Sequence, residues 1–220
     1  MPNKVNPDLV QKAVDQINRE RLVDLVVQLV NVPSPTGYEG DMARALHEVL
    51  QGANFRSTLQ PVGDERYNAI GLFEGQGGGK SLMFNGHLDT SFGPEQAHRG
   101  LGYRCEGTVV DDEWIYGMGT FNMKSALATY IVATESIQAA GIKLGGDVVI
   151  AGVAGEIEKA PVNEFDGRQY QGYGPGTKYA ITHGAIADYC ILGEPTNMMV
   201  IPRHCGTTWL KITVPGMLIH

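Results

Sequence analysis

Between Ser81 and Thr90 a short apolar run delivers a histidine and an acid two positions apart, His87 and Asp89. In a strand, residues i and i+2 project to the same side, so imidazole and carboxylate can meet at the strand's carboxyl end. Metal binding is the chemistry this suits. A ligating imidazole must be neutral with one nitrogen free, and a carboxylate that accepts the other N–H fixes tautomer and ring orientation. Asp89 is then an orienting acid and not necessarily a ligand. Taken alone, His-x-Asp equally describes a surface histidine beside a loop acid, so its companions decide.

Three later segments supply such companions. Tyr116 to Ser125 contains Gly117 and Gly119 and opens a helical pattern, where side chains and N–H groups of the first residues face whatever lies in front. It lacks the Gly-x-x-x-x-Gly-Lys-Ser/Thr order of a phosphate loop. Gly155-Glu156-Ile157-Glu158-Lys159 follows a buried-strand pattern, and Glu194 stands where a second apolar run, Ile191-Leu192, ends. A single strand-end glutamate is ordinarily a solvated loop acid. Recurrence of such acids beside a histidine makes them candidates for a site.

The elements that must position these groups follow from periodicity. Asn6-Pro7 reads as an N-cap and first-turn proline, and Val10, Val14, Ile17, Leu22, Leu25, Val26 and Leu29 fit one long amphipathic helix or two abutting ones. Val32 to Gly37 stops it. A second helix is expected over Glu39 to Leu50. Short strand-like runs follow at Phe55–Leu59, Asn68–Phe73 and Ser81–Asn85, and Thr108–Ile115 looks like a hairpin broken at Asp111-Asp112. A helix is expected from Asn122 to Ala140, capped by Gly141, and then a buried strand over Gly146–Ala154. This alternation implies an α/β fold whose ligand site gathers at the carboxyl ends of strands. Ala160–Thr177, rich in Gly, Pro, Tyr and Gln, is either a lid or an ordinary surface insertion. Thr207–Val214 reads as a strand.

Composition narrows the class. With 220 residues, 43% of them hydrophobic, the chain can bury one good core or one domain and part of another. A formal charge of -7 without a Lys/Arg-rich run argues against nucleic acid as a partner. No apolar stretch approaches the roughly 20 residues that cross a bilayer, and Met1–Pro7 has no apolar signal core, so a cytoplasmic location without a membrane partner is expected. Cys105, Cys190 and Cys205 are odd in number and widely spaced, which suits buried, reduced thiols.

In order and spacing the four segments resemble the zinc metallopeptidase and deacylase family that includes acetylornithine deacetylase, succinyl-diaminopimelate desuccinylase, aminoacylase and glutamate carboxypeptidase. The resemblance runs over residues 8 to 220. It implies a three-layer mixed sheet with helices on both faces, a catalytic domain over residues 1–202, and the start of a smaller α+β lid and dimerisation domain at 203–220. Asn85-Gly86-His87-Leu88-Asp89 looks like the family's His-x-Asp motif, and Gly117 to Lys124 like its Gly-x-Gly-x-x-Asp-Met-Lys motif with Asn122 at the metal-bridging aspartate. By the same resemblance Glu156 is the general base, and Glu194 completes the first metal's ligands beside His87. The implied activity is amide-bond hydrolysis of N-acyl amino acids or short peptides by zinc-activated water, with cobalt or manganese as substitute metals and a homodimer as the full-length state. His220 resembles a substrate-binding histidine that reaches across the dimer, and His204, near the catalytic-to-lid junction, is a further substrate-contact candidate.

The departures from that pattern concern a second metal. Asn122 is neutral where the family has a bridging carboxylate, and Ile157 stands at a second-metal glutamate. Glu158 is an alternative ligand, since in extended backbone it shares a face with Glu156 whereas residue 157 does not. One zinc held by His87, Asn122 and Glu194 is therefore expected. Relatives continue for about as many residues again, so the 220 residues are expected to be a fragment of low activity. A non-catalytic binding or regulatory protein on the same scaffold is the alternative, against which the retained Glu156 speaks. His47, His98 and His183 are expected in surface or capping roles.

Overall fold

A computed structural model of the chain describes residues 6–94, 104–159, 167, 170–203, 206, 208, 210, 212 and 214–216. The amino-terminal helical pattern forms two helices, α1 (Pro7–Val14) and α2 (Arg19–Val30). Each begins at an asparagine: Asn6 Oδ1 accepts from the Asp8 amide at 3.0 Å and Asn18 Oδ1 from the Arg21 amide at 2.9 Å. The second cap breaks the pattern in two, because an N-cap residue takes extended backbone and not helical backbone. Helix α3 (Gly40–Gly52) leads into strands β1 (Arg56–Gly63) and β2 (Arg66–Phe73), then β3 (Leu82–His87). The expected hairpin is present as β4 (Thr108–Val110) and β5 (Trp114–Tyr116), with Asp111 and Asp112 both at positive φ in the turn. Helix α4 (Ser125–Ala139), strand β6 (Val148–Val153), helix α5 (Pro175–Thr182) and strand β7 (Tyr189–Leu192) complete the described elements.

Five strands form one mixed sheet in the order β1-β2-β6-β3-β7. The pairs β1/β2 and β2/β6 are antiparallel, whereas β6/β3 and β3/β7 are parallel. The carboxyl ends of β6, β3 and β7 therefore share one edge of the sheet, and the loops leaving them converge there.

Alternating side chains of β6 divide the core. Val148 and Ile150 face a cluster built from Leu25 and Leu29 of α2, Met42 and Leu46 of α3, and Leu127 and Ile131 of α4. Val149, Ala151 and Val153 face Met83 and, from the other side, Ala180 of α5. The result is a three-layer mixed α/β architecture with helices on both faces, as expected. Gly86 of β3 sits opposite Gly152 of β6 in register. A Cβ on Gly86 would meet Leu127 Cδ2 at 2.9 Å, so the missing side chain is what lets α4 lie close over the strand end that carries His87.

Several expectations need correction. Helix α4 starts at Ser125, not at Asn122, because Gly119 adopts φ +88 and Lys124 N bonds back to Gly119 O at 2.9 Å. Asn122 thus lies in an irregular turn with extended backbone (φ -132, ψ 100), and the Asn122–Met123 peptide is cis. Within the stretch read as loop or lid, Pro175–Thr182 is helical, while residues 160–166, 168 and 169 lie outside the described residues. The expected strand Thr207–Val214 falls partly outside them too, and its described members Thr208, Leu210, Ile212 and Val214 are exposed and belong to no strand. Cys190 is exposed instead of buried, since β7 is the sheet's edge. His98, His204, Cys205 and His220 lie outside the described residues.

Candidate metal centre

His87 is the last residue of β3 and only 1% exposed. Its Nδ1 lies 2.9 Å from the main-chain oxygen of Asp89 and 3.5 Å from that residue's carboxylate Oδ1. The main-chain carbonyl, not the carboxylate, is therefore the hydrogen-bonding partner that orients the ring, and the carboxylate adds charge at slightly longer range.

The carboxylate of Asp89 does a second job that the spacing of the motif did not reveal. Its Oδ1 accepts from the Glu156 amide at 3.0 Å, and its Oδ2 accepts from the Ile157 amide at 2.9 Å and from the Thr36 hydroxyl at 2.9 Å. One buried acid thus ties the end of β3 to the loop after β6 and to the loop before α3. Burial works to raise the Asp89 carboxyl, but His87 and the two amides outweigh it and hold it below its ordinary value. The 34–36 segment is itself fastened alongside: Ser34 Oγ donates to Leu88 O at 2.7 Å, Thr90 N to Ser34 O at 2.8 Å and Thr36 N to Thr90 O at 3.1 Å.

Three candidate residues from three strand ends converge. The Nε2 atom of His87 lies 3.8 Å from Glu156 Oε2, 3.6 Å from Glu194 Oε1 and 2.7 Å from Asn122 Oδ1. Ligand atoms of His87, Glu156 and Glu194 all fall within 4.8 Å of one another. Glu194 arrives two residues past β7, and Tyr130 of α4 packs so closely under Gly193 that no side chain fits there. Glu158 is not brought into this group, and the Tyr173 hydroxyl bonds to its carboxylate instead.

The donor set fits a cation. Glu194 Oε1 is buried without a hydrogen-bond partner, an arrangement that is costly unless a positive charge or donor completes it. Burial, together with the neighbouring Glu156 and Asp89 carboxylates, pushes the Glu194 carboxyl up against the pull of His87. Without a metal, a proton on His87 supplies the charge. Desolvation works against it, yet Asp89, Asn122 and Glu194 raise the imidazole to about 9. A borderline dication bound by imidazole and carboxylate oxygens can replace that proton.

No pattern in the sequence assigns Lys124 a role. The side chain is 1% exposed, and its Nζ donates to the carbonyls of Leu29 at 3.1 Å and Val32 at 2.6 Å, locking the turn that carries Asn122 to the end of α2. Burial brings its amine down to about 7 although Asp89 pulls the other way. Thr36, Glu39 and Arg66 are likewise unmarked as site residues in the sequence. The only signal was the Ser34-Pro35-Thr36-Gly37 loop, which reads as a helix stop. His47, whose Nδ1 lies 2.8 Å from Ser57 Oγ, and His183, at the end of α5, stay outside the centre.

Beside the centre opens a cavity of about 770 Å³ whose wall includes Ser91, Arg104, Tyr116, Phe121, Asn122 and Ile157. Asn122 and Ile157, the two uncharged residues behind the expectation of a single metal, both line it. Among the described residues, no carboxylate is part of its wall.

Comparison with known proteins agrees with this geometry. The profile of Peptidase family M20/M25/M40 matches residues 83–202, which contain all three converging strand ends. A succinyl-diaminopimelate desuccinylase of Gluconacetobacter diazotrophicus is 28% identical over 218 residues, covering 89% of this chain and 49% of the relative. One from Methylorubrum populi is 31% identical, covering 87% of this chain and 49% of its own length. The chain thus spans about half the length of the curated relatives it matches. Among solved structures, human carnosine dipeptidase 1 superposes with a TM-score of 0.64 at 16% identity, over 84% of this chain and 41% of that one. An M20 family metallo-carboxypeptidase from Sulfolobus solfataricus gives 0.55 at 19% identity, over 80% of this chain and 37% of that one, so both likenesses speak for the fold. With its fold, its converging strand-end residues and the profile match in agreement, the chain belongs to the M20/M25/M40 peptidase family.

Proposed function

We propose that this chain carries the metal and proton-transfer groups of an amide-bond hydrolase acting on N-acyl amino acids or short peptides. The buried, partnerless Glu194 Oε1 within reach of His87 is the observation that carries the reading. His87, Asn122 and Glu194 would hold a single zinc ion. Bound there, zinc acidifies water and polarises a carbonyl.

The remaining chemistry belongs to the chain. Glu156 follows β6 with its side chain 52% exposed, so its carboxylate can reach both the centre and a substrate. It takes a proton from the attacking water at a carboxylate oxygen and returns it to the leaving amine. Asp89 fixes the Glu156 main chain, and its main-chain carbonyl holds the His87 ring, so base and ligand keep a constant separation. The cavity bounded by Tyr116, Phe121 and Ile157 receives the substrate arm beyond the scissile bond. Neutral Asn122 and Ile157 support one metal over two, because a pair of dications needs the charge those positions lack. Residues 1–202 form the catalytic unit in this reading, residue 203 onward begins a lid, and the full-length protein works as a homodimer.

Glu156→Gln in the natural full-length polypeptide is expected to lower kcat by roughly 10²- to 10⁴-fold while zinc content stays near one per chain. Unchanged hydrolysis, or a reproducible content near two, would contradict the assignment. The neutral Asn122 and Ile157 also favour a competing reading, a non-catalytic binding protein on the same scaffold. That reading expects no zinc-dependent hydrolysis to lose.

A further inference from the structure

Glu39 is fully buried and Arg66 only 4% exposed. They form a forked pair, with Nη2 to Oε1 at 2.7 Å and Nε to Oε2 at 2.8 Å. Burying two full charges gains little over packing apolar residues of the same volume, so the presence of such a pair points to placement more than to stability. Its remaining bonds show what it places. Glu39 Oε1 also accepts from the Gly37 amide at 3.1 Å, in the loop whose Thr36 hydroxyl reaches Asp89. Arg66 Nη1 donates to Gln171 O at 3.1 Å. Its Nη2 lies against Gly155, at φ +75, so closely that a side chain there would strike the guanidinium.

The loop carrying Glu156 is thereby gripped from two directions. Asp89 holds the amides of Glu156 and Ile157. On the other side the carbonyls of Gly155 and Glu156 accept from Gly174 N at 2.9 Å and Tyr173 N at 3.3 Å, and the carbonyl of Gln171 in that same returning segment is the one held by Arg66. A guanidinium is suited to this work, because its planar fork fixes a carboxylate while a third nitrogen remains for a carbonyl. A lysine offers one mobile point charge. Neither Glu39 nor Arg66 belongs to the His87, Glu156 and Glu194 group.

We propose that the buried Glu39–Arg66 pair is the positioning element for Glu156, acting through Gly155 and Gln171. This role rests on Glu156 being the base. Arg66→Lys keeps the charge and loses the fork, and the double variant Glu39→Gln/Arg66→Met keeps volume while removing both charges, so neither leaves an unpaired buried ion.

In the zinc-loaded full-length polypeptide, hydrogen exchange at the Glu156 and Ile157 amides is expected to accelerate about tenfold or more in both variants, with β6 amides unchanged. A loss of kcat of about tenfold or more should accompany it, with KM within about twofold and zinc content unaltered, as misplacement of a catalytic group dictates. A purely structural pair would instead speed exchange throughout the sheet. That result, unchanged exchange at the two amides, or failure of both variants to fold would overturn the proposal. If the wild-type protein hydrolyses no N-acyl amino acid or peptide, the reading of the site as a hydrolase fails. Exchange at the two amides then still decides whether the pair positions this loop.

Discussion

Strands β6 and β7 flank β3 as its two parallel neighbours, and each delivers a glutamate to the same centre. They differ in every other respect. All six residues of β6 are buried, with helices on both faces and β2 on its far side, whereas all four residues of β7 are exposed and its outer edge is unpaired among the described residues. Glu156 is consequently held by an elaborate set of main-chain bonds, and Glu194 by little beyond the strand itself and the Tyr130 contact at Gly193. The contrast teaches that Glu156, the base in the proposed reaction, is placed by the protein fold, while Glu194, the proposed ligand beyond β7, has few protein contacts to hold it.

Truncation within the two strands tests that contrast most strongly. Ile150 is fully buried in β6, and Ile150→Ala should cost about 2–5 kcal/mol of unfolding free energy. Ile191 in β7 is 49% exposed, and Ile191→Ala should cost under about 1 kcal/mol. Denaturant unfolding of the two variants measures the difference. Comparable losses would mean that β7 is buried in the folded protein and that the contrast is false.

Metal binding should narrow the gap between the strands. Zinc at about a hundredfold excess over Kd should stabilise the chain by about 2.7 kcal/mol, and the protection it adds should fall more heavily on β7 amides than on those of β6. Glu194→Ala should abolish that protection while leaving β6 exchange as it was. Exchange mass spectrometry with and without zinc checks this, and equal protection of both strands would show that Glu194 is positioned independently of the ion.

The same contrast explains what could be read from the sequence. His87, Glu156 and Glu194 are legible because each lies at or just past the end of an apolar run, and parallel strands bring such ends together. Asn122 was legible as a candidate site residue but not as backbone, since the irregular turn depends on Gly119 and on Lys124 reaching the carbonyls of Leu29 in α2 and Val32 just past it, 95 and 92 residues away in sequence. The dual role of Asp89 was invisible for a similar reason. Its hydroxyl partner Thr36 is 53 residues distant and its amide partners carry no side-chain signal. Nothing in Glu39 or Arg66, separated by 27 positions, announces a pair. The exposure of β7 was also hidden, because Tyr189-Cys190-Ile191-Leu192 has the composition of a buried strand.

A pH titration separates the protein's own charge from the metal's. In the metal-free chain His87 titrates near 9, above the roughly 6.5 of an unfolded histidine. The stability this contributes is therefore complete below about pH 6.5 and is lost as pH rises through about 9. Zinc must displace the same proton, so its affinity should increase about tenfold per unit as pH rises across that window and level off above it. Thermal unfolding of the two forms should then show a zinc-dependent shift in Tm that widens with pH. A shift constant from pH 6.5 to 9 would mean that the ion does not replace the His87 proton.

The weakest expected effect lies where β7 begins. Asp188 accepts from Lys80 Nζ at 2.7 Å, from the Ser81 amide at 2.9 Å and from the Ser81 hydroxyl at 3.1 Å, and its own amide donates to Ser81 Oγ at 2.9 Å. This reciprocal clasp fixes the register of the exposed strand against β3, just before Leu82 pairs with Tyr189. Lys80 and Ser81 together bring the Asp188 carboxyl down to about 2, below the 3.8 expected of it when free. Its contribution is present above that unfolded value and disappears as pH falls through about 2. Because Lys80 is 71% exposed, solvent screening keeps the contribution small, and added salt should shrink it further. Asp188→Asn should therefore lower Tm slightly at pH 5 and leave the wild-type and variant curves converging between pH 4 and 2. If the difference persists unchanged at pH 2, the clasp works through hydrogen bonds that the amide also loses, and β7 is held by geometry instead of charge.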